Sequence, residues 1–399
     1  MTKMFFCTRP QLVTILGLIS FAFNAAQAME KGKSSRNTHI LFETKSFYSA
    51  AENLQKELSR FSVNQTFKFQ LNDKNATTIK IPWSVSHLET SAGEKFRIEG
   101  FKDISVKHKM VTRKPKQGRM GVDWDFSVNL PNGKEKLDAE ENKVTSALGE
   151  TGQGLAGPTY GKGLDLGAEL TYTALRGKKV QDKTSIGYKL QGNYSSLSEK
   201  VSRKEPGDMA TLKFKRTLIK NRNLKYTLEA GTTLTKRSLN YRPGDQISIN
   251  PSRFEHQFSV KMDKKHSSKL SENLVIQFQE RGEIEVQESS GQIVNTEQGD
   301  RLNLSWVFVK KTSDKMSEKF GINGIFGAAN NNLEVVPPSI GNPTAQPGKD
   351  TKTRMEEVQL LYGRNWSLNK HRKWFLEGTI GLTDDSRDWT LGAGFNANF

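Results

Sequence analysis

Of the six histidines in the chain, only His266 has a serine two residues away, Ser268. A histidine base beside a serine hydroxyl is the smallest arrangement that can activate a nucleophile for ester chemistry. On a strand, two residues apart would share a face. This pair falls instead in the segment 263–269, DKKHSSK, a lysine-rich turn with no strand face to hold both groups over a substrate. His256 shares the register of Phe254 and Phe258 and reads as an interfacial side chain. No phosphate-binding loop, dinucleotide fingerprint or His-rich metal cluster is present. The expectation is a protein that is not an enzyme and carries no cofactor.

Charged residues recur instead at alternate positions between apolar ones, the period of a strand with one wet face. Arg97, Glu99, Asp103, Asp123, Asp125, Asp165, Glu169 and Lys189 are such residues in the first half of the chain. Lys213, Lys215, Glu229, Arg253, Glu255, Arg281, Arg301 and Glu377 continue the pattern in the second. If the strands close around a lumen, these side chains line it. Both signs occur, so the expectation is an ion-paired network along a narrow or gated path, whereas a ring of one sign would argue for ion selectivity.

Fourteen apolar dyads would carry these residues. Ile79, Ile81, Trp83 and Val85 mark the first, Ile98, Ile104 and Val106 the second, and Val122, Trp124, Phe126 and Val128 the third. Eleven more lead to the final residues 389–399, WTLGAGFNANF. There Trp389, Leu391, Ala393, Phe395, Ala397 and Phe399 alternate with Thr390, Gly392, Gly394, Asn396 and Asn398. That is the apolar-out, polar-in wall of an all-β transmembrane antiparallel barrel. The ending resembles the C-terminal assembly signal of Gram-negative outer-membrane proteins, with Phe395 and Phe399 as its aromatics and Ala397 where a second aromatic is usual. The resemblance implies recognition by barrel-assembly machinery.

The connections alternate in length, as barrels with short periplasmic turns and long external loops require. The segments 111–118, 176–183, 220–223, 263–269, 312–317 and 367–371 are short. The intervening 131–162, 196–208, 236–252, 287–300 and 330–352 are polar and mostly long, with only 383–388 breaking the trend. Twelve strands is the alternative, if the first two dyads belong outside the barrel. Residues 66–399 form the barrel in this reading. Residues 29–65 form a periplasmic lead-in or a plug, with helical spacing of Ala50, Leu54, Leu58 and Phe61.

At the N-terminus, Lys3 and Arg9 precede an apolar run from 12 to 23 that closes on Ala26-Gln27-Ala28, a secretory signal covering residues 1–28. The run is short for a helix that must span a bilayer with about 20 residues. The single cysteine, Cys7, lies inside this signal, leaving no thiol for a disulfide or a thiolate nucleophile after cleavage. A mean hydropathy of −0.64 fits a wall that shows only alternate side chains to lipid. The expected address is the outer membrane of a Gram-negative cell.

A net charge of +17 would suggest nucleic acid in a cytosolic protein, but a secretory signal excludes that partner. Its position is more informative. Lys178, Lys179, Lys264, Lys265, Lys311 and Lys315 are among the cations in or beside the short turns, where a basic rim would face anionic lipid headgroups.

From 100 to 208 the chain resembles the outer-membrane barrel family named for the meta-pathway of phenol degradation. Gly100-Phe101-Lys102-Asp103-Ile104 resembles its G-x-G-D strand opening with Lys102 for the second glycine, and Leu130-Pro131-Asn132-Gly133 its L-P-T-G. Gly161-Lys162-Gly163-Leu164-Asp165 matches G-x-G-x-D, the span 188–194 matches Y-x-x-x-G-x-Y, and Pro206-Gly207-Asp208 matches P-G-D, a tripeptide repeated at 243–245. The resemblance implies passive uptake of small hydrophobic or aromatic compounds and assigns no residue as a ligand contact. Taken together, the sequence predicts a passive outer-membrane channel for small-molecule solutes, surrounded by outer-membrane lipids. The alternative is a non-conducting structural or adhesive barrel whose long loops bind a partner.

Overall fold

A computed structural model describes residues 39–53, 56–134, 137–150, 161, 163–193, 203–242, 246–250, 252–281, 283–287, 293–297, 300–327, 356–369, 371–382 and 386–398. The expected signal peptide, Phe399 and the 330–352 loop lie outside them. Strands β1 (His39–Asn53), β2 (Lys56–Gln70), β3 (Asn75–Thr90), β4 (Lys95–Phe101), β5 (Ile104–Arg113) and β6 (Gly121–Leu130) precede helix α1 (Ala139–Glu150). Then come β7 (Asp165–Arg176), β8 (Val180–Gln191), β9 (Arg203–Glu205), β10 (Met209–Asn221), β11 (Leu224–Thr235), β12 (Ser238–Arg242), β13 (Gln246–Asn250), β14 (Arg253–Lys265) and β15 (Leu270–Arg281). The chain ends with β16 (Glu283–Gln287), β17 (Ile293–Glu297), β18 (Arg301–Lys311), β19 (Met316–Gly327), β20 (Glu356–Ser367), β21 (Arg372–Leu382) and β22 (Ser386–Asn398).

Each wall strand pairs antiparallel with its neighbours, and β1 pairs with both β2 and β22, so that Phe42 stands opposite Phe67 on one side and Ala397 on the other. This closes a barrel of 16 strands, with β4 and β5 sharing the edge of β3. The fourteen dyads all lie in the wall. The two additional strands are β1 and β2, in the stretch expected as a lead-in or plug. There the apparent helical spacing divides between faces: Leu58 stands inward and Phe61 outward. The sequence reading began the barrel at 66, within the last part of β2. Among the described residues no helix is long and apolar enough to cross a membrane; the strands do so instead.

Register sets the two faces. Ile186, Leu212, Phe254 and Ile380 lie on one face and are more than half exposed, as residues meeting lipid must be. Asp165, Thr171 and Thr173 lie on the other and are buried. Between β4 and β5 a short stretch breaks the alternation. Trp83 faces Phe101 and Lys80 faces Ser105, so three steps on β3 meet four on the other strand. An extra residue of this kind is a β-bulge, and it reverses which face the following residues occupy. Ile104 and Val106 therefore point out, while Ile98 points in and is 1% exposed. This corrects the assignment of Arg97 and Glu99 to the lumen: they lie on the outward face of β4, in register with His87 and Val85, and pair with each other.

At the end opposite the short turns, β9, β12, β13, β16 and β17 form a second, five-stranded sheet built from three connections. The P-G-D motif at 206–208 ties this end to the wall. A Cβ on Gly207 would lie 1.8 Å from the carbonyl oxygen of Lys236, so only glycine allows this approach. Tyr188 donates to Asp208 Oδ2 at 2.7 Å, Gln191 N donates to Oδ1 at 3.3 Å, and Lys236 Nζ donates to both Tyr188 and Asp208. The Tyr188 hydrogen bond, joined by those from Gln191 and Lys236, holds the Asp208 carboxyl below its ordinary range. A depressed carboxylate contributes stability that is whole above its unfolded value and declines as pH falls through its folded one. Unfolding midpoints in urea, followed from neutral into acid pH, are expected to fall less steeply for Asp208→Asn than for the native chain; equal slopes would remove this latch from the account.

Candidate lumen and its constriction

The inward face carries ion pairs within strands, between neighbouring strands and across one intervening strand. Lys189 meets Asp165 at 2.6 Å, Lys107 meets Asp125 at 3.5 Å and Lys109 meets Asp123 at 3.2 Å. Lys213 reaches Glu169 at 3.5 Å, Lys215 reaches Glu229 at 3.1 Å and Arg253 reaches Glu255 at 2.9 Å. Glu377 meets Lys319 at 3.3 Å across β20. Asp103 accepts from Asn129 Nδ2 and from the amide of Gly133, both at 3.0 Å. Arg301 is inward at one end of β18, in register with Gln279. Arg281 pairs in register with Glu255, and its side chain lies outside the described residues. Phe395 stands on the outward face at the closure seam, its ring centroid 4.9 Å from that of Trp374.

Two cavities follow the β1–β8 side of the lumen. The larger, of about 660 Å³, brings together Asp103, Asp165 and Lys189 with Glu43, Lys45, Lys80 and Lys102, which the sequence reading had not singled out. Glu43 and Lys45 pair at 2.9 Å. Nearer the short turns, a second cavity of about 430 Å³ is lined by Lys68, Lys74, Thr78, Lys107, Lys109 and Asp125. Lys45 and Lys68 escaped notice because β1 and β2 were expected outside most of the wall. Their alternation with Phe42, Phe67 and Phe69 was the signal that could have placed them.

Above these cavities the connection after β6 turns inward. Asp138 Oδ1 accepts from the amide of Glu141 at 2.8 Å, and Glu141 Oε2 accepts from the amide of Asp138 at 3.2 Å, a reciprocal cap that starts α1. Glu141 also pairs with Lys134. From α1 and the residues before it, Val144 and Leu137 pack on Ala51, Leu58, Leu88, Phe96 and Ile98, all on the inner face. Lys143 Nζ lies 4.3 Å from the centre of the Phe96 ring, a cation–π contact on the same seat. The helix therefore narrows the long-loop mouth. The sequence reading had this connection as one of the long external loops.

The single His/Ser pair lies in the turn between β14 and β15. His266 Nε2 meets Glu272 Oε2 at 2.7 Å, and Glu272 Oε1 accepts from the Trp306 indole at 2.8 Å. Among the described residues no group of three or more acidic, His or Cys side chains could hold a metal ion.

No family model matches the chain, and no curated protein matches it. Several solved barrels resemble it in fold. OmpT of Vibrio cholerae, folded in vitro, shares 12% identity at a TM-score of 0.40, covering 92% of this chain and 100% of that one. The outer membrane channel DcaP of Acinetobacter baumannii shares 10% at a TM-score of 0.43, with 92% and 99% covered. An outer membrane channel from Pseudomonas putida F1 shares 8% at 0.35, with 92% and 97% covered. The closed wall itself is read from the strand register of this chain.

The α1 seat is apolar and its helix face is fully buried at Val144. Val144→Asp is expected to undock the helix, at a cost on the order of 3 kcal/mol for an unpaired buried carboxylate. Added protease should then cut within 131–164 of the folded barrel faster than in the native protein; an unchanged cleavage rate would mean that α1 is not held there.

Proposed function

We propose that the chain is a passive outer-membrane channel for small water-soluble molecules, with no catalytic role. One observation carries this: a closed wall of 16 strands with lipid-facing apolar residues outside and charged, hydroxyl and amide side chains inside. Barrels of this strand number are wide enough to leave an aqueous lumen. The short turns then face the periplasm and the long connections the exterior. Aromatic residues near each end of the outward face, such as Trp366 and Trp374 at one and Trp389 and Tyr188 at the other, fit interfacial girdles. Turn lysines such as Lys178 and Lys179 would meet anionic headgroups of the inner leaflet. The terminal strand, whose outward face includes Phe395, would present the assembly signal.

The solute class follows from the wall. A solute passing the described inner face meets mainly ion pairs, amides and hydroxyls, with apolar side chains such as Phe47, Val307 and Phe375 among them, which suits water-soluble molecules better than the hydrophobic or aromatic compounds implied by the family resemblance. Docked α1 occupies part of the mouth and would limit the size of what enters.

Single-channel recording of the refolded mature protein in planar bilayers tests this reading. Steady conductance is expected, and deletion of 137–150 should raise it, by roughly twofold if the helix is the main resistance. A folded, heat-modifiable barrel that stays silent with and without the helix would favour the non-conducting barrel with partner-binding loops.

A further inference from the structure

The charges of the lumen are unevenly spread. Between their ends, β15, β18 and β20 present Asn273, Gln277, Asn303, Ser305, Gln359 and Asn365 inward, none of them charged. The arc from β1 through β14 holds most of the ion pairs, Lys319–Glu377 on β19 and β21 lying outside it, and in that arc cations exceed the carboxylates available to them. Asp263 is shared by Lys225 and Lys261, at 3.5 and 3.4 Å. Lys68 and Lys80 are exposed on the inward face of β2 and β3 and have no ion pair among the described residues. They lie diagonally across the β2–β3 ladder, since Thr66 faces Lys80 and Thr78 faces Lys68. Lys80 lines the upper cavity and Lys68 the lower, so this diagonal joins the two.

We propose that this lysine diagonal is a transfer site for small hydrophilic anions, which makes the channel anion-preferring. The inference rests on the proposed channel function and names its solute class. Ammonium groups with no carboxylate partner keep a positive potential in the water beside a low-dielectric wall, and the neighbouring hydroxyls of Thr66 and Thr78 can donate to an anion shedding part of its hydration. Because Lys68 and Lys80 are adjacent, an anion leaving one cavity meets the second cation before it has lost the first. Paired lysines such as Lys107 and Lys109 contribute less, their charge being offset by Asp125 and Asp123.

The test is the reversal potential of the refolded full-length mature protein in a KCl gradient, with chloride as the probe. The native channel should prefer chloride over potassium. Lys68→Gln combined with Lys80→Gln should lower that preference by roughly threefold while leaving the barrel heat-modifiable. Lys178→Gln with Lys179→Gln, which removes the same charge from a short turn, should leave it nearly unchanged. Raising salt from about 0.1 to about 1 M should weaken the native preference, since the screening length falls from about 10 to about 3 Å. A conducting native channel that prefers potassium or neither ion overturns the proposal, and so does a lumen variant that behaves like the native protein or a turn variant that loses as much preference. Absence of any conductance would instead count against the channel function on which it rests.

Discussion

A backbone crossing hydrocarbon must satisfy every amide and carbonyl within the protein, because no water is there to do so. A sheet can meet that demand only by abolishing its edges. Here the last edge is removed by β1 and β22, which come from opposite ends of the described chain and pair along nearly their whole length, from Leu41 opposite Asn398 to Asn53 opposite Ser386. Every other property of the molecule assumes that seam. Without β1 and β2 the fourteen remaining strands would have to meet at another register, with a smaller lumen and a different set of inward residues.

Closure turns a local alternation into two separate environments. Once the wall is continuous, direct opposition across each ladder keeps a residue and its partner on the same face, so the inward position of Thr390 passes through Ser49, Arg60 and Ser86 to Ile98. The bulge between β4 and β5 is the point where that inheritance and the sequence alternation disagree. It turns Phe96 and Ile98 inward beside Ala51, Leu58 and Leu88, which stand inward by regular alternation, and α1 covers the apolar seat they form. The mouth thus depends on one extra residue in the wall, on the inward apolar residues of β1 to β3, and on a connection long enough to fold back.

The charges inside obey the same logic. A carboxylate on the wall is usually within reach of a lysine two positions away or on the next strand, as Lys189 is for Asp165 and Lys45 for Glu43. Such pairs, partly exposed to lumen water, add little to stability but leave the unmatched cations to set the local potential. The motif residues of the 100–208 segment belong to another task. Gly163, with φ +78 and a backbone carbonyl 2.8 Å from where a Cβ would stand, and Gly207, crowded by Lys236, shape the rim from which the loops leave.

The sequence by itself determined that this chain builds a wall of alternating strands with short turns at one end and long connections at the other. The period of two survives in every strand whose outward residues are strongly apolar, from Ile79 to Leu391. It also placed Asp123, Asp125, Asp165, Glu169 and Lys189 inward, because a local alternation suffices where the strand is regular. Tertiary structure decided what local pattern could not. In β1 the outward positions mix Thr, Ser and Ala with few large apolar residues, and in β2 the dyad Phe61, Val63, Phe67 and Phe69 is interrupted by Gln65, so pairing with β22 and β3 decides that both are wall strands. Arg97 and Glu99 changed sides because a bulge is defined by the partner strand. The place of α1 depends on a seat assembled from four strands, and which lysines lack a carboxylate depends on distances between strands that share no sequence neighbourhood.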